Sequence, residues 1–224
     1  MFSYYGTKKK LGKLYPPPKY KTIIEPFAGA AGYSLLYPDN QVILYDTNPK
    51  ICAVWDFLIH ANKKDILSLP DVQTGQKVTD FGLSDPEKWL IGFCINPGST
   101  TPKITASKRA KWASYKTDIA NRVDKIKHWV IIRGSYSSIP NKEATWFVDP
   151  PYQKAGKYYF GYSQMDFQNL GLWIRQRFGQ VIACENAGAD YLPFTFLAEH
   201  RGSMQKNTEV IWLNETDTKG IFDD

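Results

Sequence analysis

Apolar positions along this chain follow two spacings. Short, nearly continuous runs rich in β-branched and aromatic residues recur at Thr22-Ile23-Ile24, Val42-Ile43-Leu44-Tyr45, Trp129–Ile132 and Thr145-Trp146-Phe147-Val148. Runs of this length and composition read as strands, that of Thr145–Val148 as a buried one. Further strands are expected at Gln180–Cys184, near Phe194–Glu199 and at Glu209–Leu213. Between the runs, apolar residues recur every three or four positions. Ile51, Val54, Trp55 and Leu58 predict a helix over Asn48–Ala61, and Trp112, Tyr115, Ile119, Val123 and Ile126 predict a long one over about Lys108–Lys127. Ser84-Asp85-Pro86-Glu87 has the Ser-x-x-Glu form of a capping box and opens a helix to about Ile95. Shorter helices are expected at Tyr33–Tyr37 and Asp166–Arg177. Asn96–Pro102 and the Gly/Tyr/Lys-rich Gln153–Gln164 are loops by composition, and Asn214–Asp224 is a polar tail. Strands alternating with helices imply an α/β fold: a mostly parallel sheet with helices on both faces. The 224 residues suit a single domain, in which 62–128 form a helical insertion between the second and third strands.

Composition narrows the class. Apolar residues at 43% and charged residues at 22% describe a globular chain rather than a disordered one. Cys52, Cys94 and Cys184 are scattered, as are His60, His128 and His200. That scatter argues for a reducing compartment and against a zinc site. No apolar run has the length of a membrane span or of a signal-peptide core, so a soluble intracellular protein is expected. The net charge of +6 is unevenly placed. Residues 1–21 hold six lysines and no acid, and residues 99–133 hold nine Lys or Arg against Asp118 and Asp124, which leaves the remainder net negative. Such concentration suits a polyanionic partner, whereas a charge run on a solvated helix face is the ordinary alternative. Trp112, Tyr115 and Trp129 interleave these basic residues; they suit nucleic acid and suit buried helix anchors equally.

Chemistry concentrates in two places. Asp149-Pro150-Pro151-Tyr152 follows a strand, at the sheet end where open α/β folds bind ligands. Asp149 offers a carboxylate. The two prolines fix two φ angles and remove two backbone donors, so the Pro150 carbonyl faces outward in a rigid turn. Tyr152 supplies a flat face. Together these could grip the amino group of a nucleobase. The second place is Glu25-Pro26-Phe27-Ala28-Gly29-Ala30-Ala31-Gly32, a turn of small residues between a strand and a helix, where backbone can approach a ligand closely. It lacks the first glycine of the Gly-x-Gly-x-x-Gly dinucleotide fingerprint. Asp46 ends the next strand, 17 residues after Gly29, near the spacing at which a carboxylate meets a ribose hydroxyl pair.

Taken in order, Phe-Ser-Tyr-Tyr-Gly-Thr-Lys at residues 2–8, Glu-Pro-Phe-Ala-Gly-Ala-Ala-Gly, Tyr-Asp-Thr-Asn and Asp-Pro-Pro-Tyr resemble the Dam-type adenine-specific DNA methyltransferases, above all their small phage and prophage members. The resemblance spans about residues 2–213. It implies the Rossmann-like seven-stranded methyltransferase sheet, S-adenosylmethionine (AdoMet) as donor, and adenine's exocyclic amino group in DNA as acceptor. It also implies that the segment before the third strand, here the basic insertion, helps recognise the target. By match to the family's motifs, Tyr5, Gly6 and Lys8 would line the AdoMet pocket, with Lys8 on the methionine carboxylate. Phe27, Gly29 and Ala30 would form the glycine-loop motif, and Asp46 would bind the ribose. Asp149, Pro150 and Tyr152 would be catalytic, Asp149 also bordering the donor. Tyr159, Phe160 and Tyr162 lie where the family often sets a second aromatic against the flipped base. Lys103, Lys108, Arg109, Lys111 and Lys116 are the expected DNA contacts. A monomer without metal is expected, in the cytoplasm of a bacterial or phage-infected cell.

Two positions depart from the family pattern. Ala31 stands at the last glycine of Phe-x-Gly-x-Gly, which costs little if its φ is negative. Ser135, after Gly134, stands where relatives often carry an acid facing the donor's adenine; its hydroxyl can accept a hydrogen bond but carries no charge. Rival readings are an RNA base methyltransferase, a catalytically silent DNA-binding module of the same fold, and a nucleotide-dependent oxidoreductase. The last is disfavoured by the missing glycine, and silence by the intact Asp149.

Overall fold

The computed structural model describes residues 1–4, 11–154, 165–201 and 206–214. Strands β1 (Thr22–Glu25), β2 (Gln41–Asp46), β3 (Val130–Arg133), β4 (Ala144–Val148), β5 (Gly179–Asn186), β6 (Thr195–Arg201) and β7 (Lys206–Leu213) form one sheet in the order β3-β2-β1-β4-β5-β7-β6. The pairs from β3 through β5 are parallel, and β7 runs antiparallel to both of its neighbours. This mixed seven-stranded sheet with flanking helices matches the Rossmann-like AdoMet-methyltransferase fold.

Alternation along the central strands divides the interior into two cores. Ile23, Val42, Leu44, Phe147, Ile182 and Cys184 face one side, and Ile24, Tyr45, Trp146, Val148, Val181 and Ala183 face the other. The first side is covered by α1 (Pro49–His60), α2 (Lys63–Ser68), α3 (Asp85–Ile95) and α4 (Trp112–Ala120), which contribute Trp55, Leu58, Ile66, Leu90, Phe93 and Ile119. Across the sheet, among the described residues, α5 (Phe167–Arg175) is the helix that packs there, through Leu170 and Ile174. The insertion is therefore built on the same core as α1. Its inward side chains are as apolar as the sheet they cover.

Local signals explain most boundaries. Asn48 caps α1, its side chain accepting from the Lys50 amide at 3.0 Å, with Pro49 in the first turn. Ser84 and Glu87 form the expected capping box at α3. Two expectations fail. The helix over Tyr33–Tyr37 is a single 3₁₀ turn, Ser34–Leu36, ended by Pro38 and pinned by the Tyr33 ring, which stacks on Phe147 at 4.3 Å. The long helix over Lys108–Lys127 is divided. Lys108–Ala110 form a turn capped by Ser107, α4 spans nine residues, and a 3₁₀ turn covers Val123–Ile126. The apolar period survives the break, since Trp112, Ile119, Val123 and Ile126 are all buried. The Trp112 and Trp129 indoles donate to the carbonyls of Pro70 and Pro38. These aromatics are helix anchors and not stacking platforms. No helix among the described residues is long and apolar enough to cross a membrane.

Candidate functional site

Strand β1 has β2 on one side and β4 on the other, so the chain reverses its winding between β1 and β4. Open α/β sheets bind ligands in the crevice outside the carboxyl ends at such a point. Both sequence motifs lie there: the small-residue turn follows β1, and Asp149–Tyr152 follows β4.

The turn after β1 is tied to β2 through backbone. Ala28 N donates to the Tyr45 carbonyl at 2.8 Å, and Gly29 N donates to Asp46 Oδ2 at 3.0 Å. Asp46 Oδ1 accepts from Asn48 N at 2.8 Å. Burial pushes the Asp46 carboxyl up to about 6, while amide donors from Asn48, Gly29 and Thr47 pull it down. A carboxylate holds about four acceptor sites, so beyond these three amides one remains for a ligand hydroxyl. Gly29 has φ +44°, and a Cβ there would lie 3.2 Å from the Tyr4 ring. The Tyr4 ring therefore fills the space a side chain at Gly29 would take, and the Gly29 carbonyl accepts from the Trp55 indole at 2.8 Å. Ala31 also has positive φ, at +48°, while fully buried. The condition of a negative φ fails, and the residue sits in a conformation that disfavours L side chains by roughly 1–2 kcal/mol.

The other positions expected beside a donor converge on the same strand end. Gly134 N donates to the Asp46 carbonyl at 3.1 Å, which sets Ser135 beside β2, and Phe27 packs against Tyr136 at 5.5 Å. Ser135 Oγ accepts from the Ser137 hydroxyl at 3.1 Å. Ala30 is buried. Tyr5, Gly6 and Lys8 lie outside the described residues, as do Tyr159, Phe160 and Tyr162. Tyr4, one position before the expected Tyr5, is placed on the site: burial first, then the charge of Asp46, raises its hydroxyl above the usual range. The Phe-Ser-Tyr-Tyr motif held the signal for it, in the neighbouring tyrosine.

The turn after β4 is held by side chains from distant strands. Gln153 N donates to Glu185 Oε2 at 2.9 Å, and Gln153 Nε2 donates to Asp190 Oδ1 at 2.9 Å. The Tyr152 hydroxyl donates to Glu209 Oε1 at 2.6 Å, and the Tyr15 hydroxyl reaches the same oxygen at 2.8 Å. Glu25, Glu185 and Glu209 are all buried. Burial pushes Glu25 up to about 8 and Glu185 up to about 7; hydrogen bonds draw both back, and the charge of Asp149 adds to the rise. Burial, then the charges of Asp149 and Glu209, raise the Tyr152 hydroxyl, which keeps it a donor. Asp149 is half-buried, Pro150 is buried, and Tyr152 is 9% exposed. Sequence reasoning missed Glu185 and Glu209. An acid inside an otherwise apolar strand, as in Ala183-Cys184-Glu185 and Glu209-Val210-Ile211, is the signal that could have found them.

Among the basic residues of the insertion, Lys103, Lys108, Arg109 and Lys111 are exposed. Lys116 bridges to Asp71 and donates to the Leu69 carbonyl, with 13% of its side chain exposed. Arg122 pairs with Asp118 at 2.9 Å. The described residues hold no cluster of three His, Cys, Asp or Glu side chains arranged for a metal, and the three buried cysteines form no disulfide.

No protein-family model and no curated protein sequence matches the chain. Solved structures resemble it distantly. A conserved hypothetical protein of Streptococcus pyogenes is 9% identical over 91% of each chain, with a TM-score of 0.37. An Escherichia coli protein described as a candidate methyltransferase is 6% identical over 85% of this chain and 74% of its own, at 0.36. A candidate methylase of Haemophilus influenzae is 12% identical over 86% and 78%, also at 0.36. Likenesses this distant say nothing about activity.

Proposed function

We propose that this chain is an AdoMet-dependent DNA methyltransferase that modifies the exocyclic amino group of a flipped-out adenine. The observation that carries the reading is the position of Asp149-Pro150-Pro151-Tyr152 across the β1–β4 crevice from the Asp46–Gly29 cradle. A donor and an acceptor held on opposite sides of one crevice is what group transfer requires. The cradle fits AdoMet, with one acceptor site left on Asp46 for a ribose hydroxyl and a turn of small residues, Ala28–Ala31, beside it. Phe27 and Ser135 border it, and Tyr5, Gly6 and Lys8 complete the pocket on this reading. AdoMet, when bound, supplies an electrophilic methyl group on a sulfonium.

The residues after β4 supply the rest. Adenine's amino nitrogen is a weak nucleophile because its lone pair is delocalised into the ring. The Asp149 carboxylate and the Pro150 carbonyl accept its two hydrogens and favour a more tetrahedral nitrogen. That frees the lone pair to form the N–C bond as the S–C bond breaks. On this reading Asp149 would take the proton the nitrogen then sheds, directly or through water. The work is positioning and electrostatics. The target atom is unreachable within a duplex, so the base leaves its stack at a cost of a few kcal/mol. Stacking on the Tyr152 ring returns about 1–3 kcal/mol. Tyr159, Phe160 or Tyr162 would close the other face. The exposed Lys103, Lys108, Arg109 and Lys111 would contact phosphate, which positions the enzyme without reading sequence. Lys116 joins them only by giving up Asp71.

Incubation with methyl-labelled AdoMet and either duplex DNA or RNA tests the assignment. Label in N6-methyladenine of DNA is expected. Label confined to RNA would replace the substrate, and label in neither would end the reading.

A further inference from the structure

Tyr152 is fixed at both ends. Its Cα belongs to a turn stiffened by Pro150 and Pro151. Its hydroxyl donates at 2.6 Å to Glu209, whose side chain is wholly buried. Glu209 itself has little freedom. It sits on β7 between β5 and β6, its Cα paired with Asn186 and Ala198. The same Oε1 accepts the Tyr15 hydroxyl at 2.8 Å, and the Tyr15 ring packs edge-on against Phe147 of β4 at 5.1 Å. One carboxylate oxygen therefore joins three segments: the stretch before β1, the turn after β4 and the start of β7. A phenol ring held at Cα and at oxygen keeps one plane and one depth. With the hydroxyl released, packing and rotamer preference alone would orient it.

The geometry points to Glu209 as a positioning residue for methyl transfer: it acts through the Tyr152 hydroxyl to hold that ring where the target base must stack. This rests on the methyltransferase reading above. A buried carboxylate accepting two tyrosines could equally be part of the scaffold, but the two tyrosines differ. Tyr152 belongs to the catalytic turn and Tyr15 does not, so the two roles predict different outcomes when each bond is cut separately.

The test compares Tyr152→Phe, Tyr15→Phe, Glu209→Gln and the double variant E209Q/Y152F in the full chain. Each Phe removes one hydroxyl and keeps the ring. Positioning predicts that Y152F and E209Q each lower transfer about tenfold at saturating AdoMet and DNA, the scale of one charge-assisted hydrogen bond. The Kd for AdoMet should stay within about twofold. Y15F should keep transfer within about threefold of wild type while losing a comparable share of Tm. The double variant should be no slower than the slower single variant, because Y152F cuts the link whose charge E209Q removes. Equal losses of transfer in Y15F and Y152F, or full multiplication of effects in the double variant, would overturn the inference. If E209Q does not fold, the two Phe variants carry the comparison. NMR of tyrosines labelled in the ring separates this inference from the reading beneath it. A wild-type protein inactive on DNA and RNA ends the methyltransferase assignment. Slow reorientation of the Tyr152 ring in wild type and Y15F, with fast reorientation in E209Q, would still uphold Glu209 as the ring's anchor. Equal rates in all three would remove it.

Discussion

The two sides of the crevice are held together in opposite ways. On the side proposed for the donor, Asp46 is gripped by the amides of Gly29 and Asn48, and the turn after β1 hangs from the Tyr45 carbonyl. Those partners are backbone atoms, at most 17 residues away. On the acceptor side, the turn after β4 is gripped by Glu185 and Glu209, at separations of 32 and 57 residues. Backbone amides are present whatever the side chain, so the turn after β1 depends on one carboxylate, Asp46, and on small residues and tight turns. The acceptor side depends on particular carboxylates, and single substitutions should damage it more.

Asp149→Ala gives the hardest test of that division. It should lower methyl transfer by at least about 10²-fold, the scale of one preorganised electrostatic group, while AdoMet binding measured by calorimetry is largely kept. Near-normal transfer would break the acceptor assignment. Asp46→Ala should do the reverse, weakening AdoMet by about 1–3 kcal/mol through loss of a charge-assisted bond to a ribose hydroxyl. An unchanged Kd would make Asp46 a strand end and nothing more. A third region should leave both sides intact. Replacing Lys108, Arg109 and Lys111 together should flatten the slope of log affinity against log salt by about 0.9 for each phosphate no longer neutralised, on specific and random duplexes alike. Filter binding across salt would read it, and a wild-type slope would mean that the patch faces solvent.

The pH dependence of folding sharpens the contrast. Glu25 titrates near 4.5 in its ordinary state and near 8 when folded. The folded protein thus holds a proton that the unfolded chain releases. Stability from this group is complete below about pH 4.5 and is lost as pH rises through 8. Thermal melts should show wild type weakening over that window, with Glu25→Gln flatter. A parallel pair of curves would remove Glu25 as the cause. The smallest effect is expected at Ala31. Glycine relieves the positive φ but loses a buried methyl and loosens the unfolded chain, so Ala31→Gly should move stability by less than about 1 kcal/mol. A larger loss would mean the methyl packs more than it strains.

This contrast also explains what could be read from the chain itself. Gly29, Asp46 and Asn48 stand close together in sequence, and their roles follow from turn chemistry and strand ends. So do the strand positions and the capping box at Ser84. What escaped was long-range. Nothing near Tyr152 announces Glu209, and nothing near Lys116 announces Asp71. The Lys108–Lys127 helix had the right period and the wrong continuity, because period reports which side chains are buried and not whether the backbone between them is unbroken. The sign of φ at Ala31 was equally hidden, since alanine gives no hint of a left-handed position.

The reversal of β7 bears on when the site can exist. Because that strand runs against its neighbours, its first residues and not its last lie at the carboxyl edge of the sheet. Glu209 thereby reaches Tyr152, yet it is synthesised 57 residues later. A nascent chain can finish β1, β2 and the Asp46 cradle while the acceptor turn still lacks its anchor. Any subpopulation in which β7 has undocked would retain the Asp46–Gly29 turn without an anchored Tyr152. Amide exchange in β7 and in the turn at 149–153 should then share one opening free energy, with Gly29 and Asn48 exchanging on their own.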